Sequence, residues 1–109
     1  MKLTFTPMRR DDRLELHRTG DMLTINGEAF DFGPLPEGAT LPREAIDSAW
    51  FAGPVERIGG VLHVSLILPH GPHAPDATRF PAPLEIEDDG VVPVPVWAEV
   101  EAEENNVED

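Results

Sequence analysis

The run Leu23-Thr24-Ile25-Asn26-Gly27-Glu28-Ala29-Phe30-Asp31-Phe32 decides the fold class. Asn-Gly between two alternating segments is the strongest short hairpin signal, because a two-residue turn needs positive φ at both central positions and these residues tolerate it. Closing the turn on Asn26 and Gly27 sets Ile25 opposite Glu28 and Leu23 opposite Phe30. Leu23, Ile25, Phe30 and Phe32 then project to one side. Upstream, a turn at Thr19-Gly20 or Gly20-Asp21 keeps that parity, so Leu14 and Leu16 join the same face. Three strands share one apolar side.

Period two continues along the chain, and no long stretch has the three-to-four spacing of an amphipathic helix. Leu3 and Phe5 share a face of a first strand. A second hairpin joins Trp50–Ile58 to Val61–Leu68 around Gly59-Gly60. Its register turns Leu62, Val64, Leu66 and Leu68 inward with Phe51 and Val55, and sets Glu56 against His63 on the opposite face. A third hairpin is expected around the loop Asp88-Asp89-Gly90, which places Ile86 opposite Val92 and Leu84 opposite Val94. Pro93 and Pro95 cannot donate to a ladder, so that last strand belongs at an edge. Gly33-Pro34-Leu35-Pro36-Glu37-Gly38 and Pro69-His70-Gly71-Pro72-His73-Ala74-Pro75 read as irregular connections, and residues 41–48 hold one short helical turn. The expected fold is all-β: a small antiparallel sandwich or open barrel of successive hairpins with Pro-rich loops.

The 109 residues carry 40% apolar and 27% charged side chains, enough for one core and too few for two. The expected organisation is a single β domain over residues 1–97 and an acidic, disordered tail over 98–109. With no Cys, disulfides, a thiolate nucleophile and Cys-rich zinc sites are excluded. The net charge of −13 is regional: residues 1–84 hold 11 acids and 8 bases, whereas residues 85–109 hold 10 acids and no base. A single Lys and this acidity argue against binding a nucleic-acid backbone. The first residues alternate rather than forming an apolar run, so neither a signal peptide nor a membrane span is expected, and the expected location is the cytosol.

Several groups of residues carry chemical possibilities. His70, His73 and Asp76 have spacing that could surround a metal, but a Pro-stiffened surface loop explains them as well, and no metal or other cofactor is expected. Glu56, His63 and Ser65 place an acid, a base and a hydroxyl in order on one strand face. A nucleophilic Ser needs an oxyanion hole and a turn that exposes it, and mid-strand supplies neither, so a solvent-facing cross-strand pair is the simpler reading. Asp11-Asp12 and Asp88-Asp89 are ordinary turn chemistry. Gly59-Gly60 lacks the helix and Lys of a phosphate cradle. Trp50, Phe51 and Trp97 are the candidate interface anchors, although such residues also plug the ends of small β cores. Arg9, Arg10 and Arg13 form the one basic cluster, largely cancelled by Asp11 and Asp12. The acidic end reads first as a solubilising tail, then as an interaction arm or a mimic of nucleic-acid charge.

The blocks Leu23–Phe32, Pro34–Ala39, Val55–Leu62 and Ile67–Gly71 together resemble a family of small uncharacterised proteins encoded by tailed bacteriophages and prophages near their tail genes. The resemblance covers roughly residues 1–97 and implies a setting rather than a reaction, ligand or catalytic residue. The expectation is a non-enzymatic protein–protein interaction module, an accessory of tail assembly or morphogenesis in the bacterial host, whether or not it stays with the virion. A small hydrolase or metal-binding protein using Glu56, His63 and Ser65 or His70 and His73 is one alternative. An acidic inhibitor that mimics nucleic acid is another.

Overall fold

The computed structural model describes residues 1–98, and the acidic segment from residue 99 lies outside them. It is an all-β protein with two sheets. The strands are β1 (Lys2–Arg9), β2 (Leu16–Thr19), β3 (Met22–Ile25), β4 (Glu28–Asp31), β5 (Thr40–Leu41), β6 (Val55–Ile58), β7 (Val61–His70), β8 (Leu84–Glu85) and β9 (Gly90–Val91). A 3-10 turn at Arg43–Ala45 and one helical turn, α1 (Asp76–Arg79), are the helical pieces among the described residues.

The four-stranded sheet runs β4-β3-β2-β9. Its hairpin has the register read from the sequence, Ile25 opposite Glu28 and Leu23 opposite Phe30. Asn26 takes φ of +48° and Gly27 of +86°, the left-handed conformations that a primed turn requires. The Asn26 side chain also holds the segment leading into β2, accepting from the Glu15 N–H at 2.7 Å and donating to the Arg13 carbonyl at 3.0 Å. Leu14, Leu16, Leu23, Ile25 and Phe32 are buried, and Phe30 packs against them half-buried.

The five-stranded sheet runs β5-β6-β7-β1-β8. β6 and β7 form the second hairpin with Glu56 opposite His63, and Leu62, Val64, Leu66, Leu68, Phe51 and Val55 are all buried. The central pairing departs from a succession of antiparallel hairpins. β1 lies parallel to β7 over eight residues, from Lys2 against His63 to Arg9 against His70.

Two prolines sit inside this pair, and backbone alternation explains how. The Arg10 N–H donates to the His70 carbonyl, so even-numbered groups of the first strand face β7. Odd-numbered groups face β8, as the Met1 and Ile86 backbone bonds show. On β7 the odd positions face β6, since Ile67 donates to the Trp50 carbonyl and Ser65 accepts from Ala52. Pro7 and Pro69 are both odd, so each turns its donorless nitrogen away from the parallel ladder. The break expected at Pro69 therefore falls after His70.

The expected third hairpin does not form. Leu84-Glu85 pairs with β1 in one sheet, while Gly90-Val91 pairs with β2 in the other. Residues between them turn the corner, fixed by the Asp89 carboxylate accepting from the Gly20 N–H. Val92 and half-buried Ile86 still reach the core, so the apolar parity is satisfied by two different partner strands. β9 is an edge, and Pro93 and Pro95 lie just beyond its end.

The sheets share one core. Phe51 is fully buried, its ring edge-on to Phe30 at 5.2 Å and to Phe32 at 6.0 Å. Arg57 of β6 donates to the carbonyls of Phe32 and Leu35 and pairs with Asp21, tying the five-stranded sheet to the end of β4.

The parallel register is directly testable in a chain without Cys. Thr4 and Ser65 are Cα partners whose hydroxyls lie 3.1 Å apart. The double substitution Thr4→Cys with Ser65→Cys is expected to form a disulfide on mild oxidation, whereas Thr4→Cys with Ile67→Cys, two residues out of register on the same face, is not. Equal cross-linking of both pairs in a mass-spectrometric assay contradicts the register.

Candidate functional site

The acid–base–hydroxyl group lies on the outer face of the five-stranded sheet. Thr40, Glu56, His63, Lys2 and Glu85 occupy one row across all five strands. Glu56 accepts from the Thr40 hydroxyl, and the Ser65 hydroxyl is bonded to that of Thr4. Among the described residues no hydrogen bond joins His63 to either. The carboxylate and the hydroxyl of these register neighbours each turn to another strand.

The other proposed ligands are also dispersed. His70 Nδ1 lies 3.1 Å from the Gly71 carbonyl, His73 is exposed, and the Asp76 carboxylate binds Arg79 within α1. Among the described residues no three His, Asp or Glu side chains are gathered as a metal site would need.

Of the three aromatic candidates, Phe51 is corrected to a core residue, since a side chain with no exposed surface cannot anchor a partner. Trp50 and Trp97 are half-buried, and each carries an arginine. The Arg10 guanidinium lies 4.4 Å from the Trp50 ring centre and that of Arg13 lies 3.7 Å from Trp97. Asp12 holds Arg10 through two bonds, at 2.9 and 2.7 Å, and these bonds keep its carboxyl below the usual aspartate range. Trp97 donates its indole N–H to the Arg10 carbonyl at 2.7 Å, and its own carbonyl accepts from Gly71. A small cleft of about 230 Å³ opens beside it between Leu14, Leu68 and Val94. The sequence presented these arginines as a solvated turn; the ion pairs with aspartates exist, but the tryptophan faces that receive the guanidiniums come from distant segments. This cluster fastens the last described residues onto the first strand.

The surface with the clearest binding geometry is the open side of β4. Phe32 donates to the Asp21 carbonyl, so Phe30 and Glu28 take the bonded positions against β3, and the N–H and C=O of Ala29 and Asp31 face outward. Both residues are exposed. The other sheet edges, β5, β8 and β9, are two residues long, whereas β4 has four. Two adjoining clefts of about 260 Å³ each run along this side and share Asp31, Phe32 and Leu41. One is floored by Phe30 and Ile46, the other by Leu35 between two prolines. The 33–38 segment and the short turn after β5, which read as mere connectors, build these walls.

Gly71 tests the packing around Trp97. A Cβ there would stand 2.6 Å from the Trp97 ring, which is already held by its indole bond and by Arg13. Gly71→Ala is expected to destabilise the fold by about 1–3 kcal/mol in urea unfolding and to shift the Trp97 indole resonance. An unchanged midpoint and resonance would contradict that packing. No family model matches the chain, and neither a curated protein nor a solved structure matches it.

Proposed function

We propose that the chain is a non-enzymatic protein–protein interaction module, an accessory of phage or prophage tail assembly that works in the bacterial cytosol. The observation that carries the interaction reading is the open β4 edge. Outward main-chain donors and acceptors at Ala29 and Asp31 stand beside apolar clefts, the combination that strand addition uses. Main-chain groups supply affinity in that mode, and alternate side chains in the clefts supply selectivity. The tail setting rests on the resemblance of the hairpin blocks alone.

Affinity capture with the full chain from an induced lysogen, followed by mass spectrometry, tests the proposal. A tail-assembly protein retained in near-equal amount is the expected result. Recovery of no tail component from cells in which tails are forming overturns the tail assignment.

A further inference from the structure

We propose that the β4 edge receives an extended cationic segment, in which Lys or Arg alternates with apolar residues, as an added strand. The proposal deepens the interaction reading above and rests on it. Three observations favour this occupant. β4 leaves two residues' worth of main-chain groups without a strand partner. The clefts beside it have an apolar floor of Phe30, Phe32, Leu35, Leu41 and Ile46, matched to every second side chain of a β-strand. Their charged lining consists of Glu28, Asp31 and Asp47, with no Lys, Arg or His among the lining residues.

Charge decides between occupants. A second copy pairing through the same edge would bring one copy's Glu28, Asp31 and Asp47 close to those of the other, in a chain of net charge −13. Like charges set opposite each other across a strand pair are destabilising, so acids at both ends of β4 oppose self-pairing. The same acids favour a strand bearing Lys or Arg, and speed its encounter at low ionic strength. The floor is also rigidly shaped. Arg57 fixes the carbonyls of Phe32 and Leu35, so the cleft walls do not need to be ordered when a partner arrives.

The probe is an end-capped eight-residue peptide alternating Lys and Val, titrated into the full chain and followed by amide NMR. The expected result is saturable shifts centred on Ala29 and Asp31, absent with a Glu-Val peptide. Ala29→Pro removes one outward donor and is expected to weaken binding by roughly tenfold. Because a strand proline could also disturb the hairpin, Glu28→Lys with Asp47→Lys provides a second variant at exposed positions, expected to weaken binding at least as much. Three results would overturn the proposal: equal binding of a Lys peptide with Pro at alternate positions, shifts centred on Glu85–Asp89 instead, or Ala29 and Asp31 signals that move with the chain's own concentration. A captured tail protein that still binds the Ala29→Pro chain also removes this proposal, while leaving the interaction reading in place.

Discussion

The parallel pairing of β1 with β7 is the constraint on which the rest of the structure depends. It is the longest ladder among the described residues and joins residues some sixty positions apart in the chain. Antiparallel neighbours can close through a two-residue turn, but parallel neighbours require a crossover, and here everything from β2 to β6 forms that crossover. Both prolines on the pair leave the ladder intact, because their nitrogens point to its outer sides instead of toward each other.

Once β1 is fixed beside β7, the remaining edges are assigned in turn. β8 takes the free side of β1, and the chain then crosses to β2, which it meets as β9. Trp97 follows and closes onto Gly71 and Arg10, next to the end of the parallel pair. On the far side, Arg57 and Phe51 join the sheets through Phe32, Leu35 and Phe30. Each of these closures covers or shortens an edge, as natural sheets do. β4 is left with three exposed positions, half-buried Phe30 and an apolar cleft, which is why the functional reading settles there.

The hairpins were legible because their information is local. Asn26-Gly27 and Gly59-Gly60 state their own turn geometry, and period-two alternation then fixes which side chains meet, down to Ile25 with Glu28 and Glu56 with His63. The parallel pair was not legible, since alternation at Leu3 and Phe5 says that a strand exists without naming its neighbour. Leu84, Ile86 and Val92 illustrate the same limit. Their parity was read correctly, but two strands from different sheets satisfy it as well as one hairpin does. Pro69 reads as a stop in the sequence, but β7 runs through it, because the direction of its nitrogen depends on the neighbouring strands. The candidate site shares this dependence. Phe30 and Phe32 were recognised as inward residues, but that β4 is an open edge is a property of sheet order and has no sequence signal. The stacking of Arg10 on Trp50 and Arg13 on Trp97 likewise joins segments that no spacing rule connects.

Amide hydrogen exchange, read residue by residue under native conditions, tests this arrangement most directly. Slow exchange is expected at Thr4, Thr6 and Met8 on β1 and at Val64, Leu66 and Leu68 on β7, whose N–H groups face each other's strand, with fast exchange at Ala29 and Asp31 on the open edge. Fast exchange along β1 comparable with that at Ala29, or protection at Ala29 and Asp31 in the isolated chain, would contradict it.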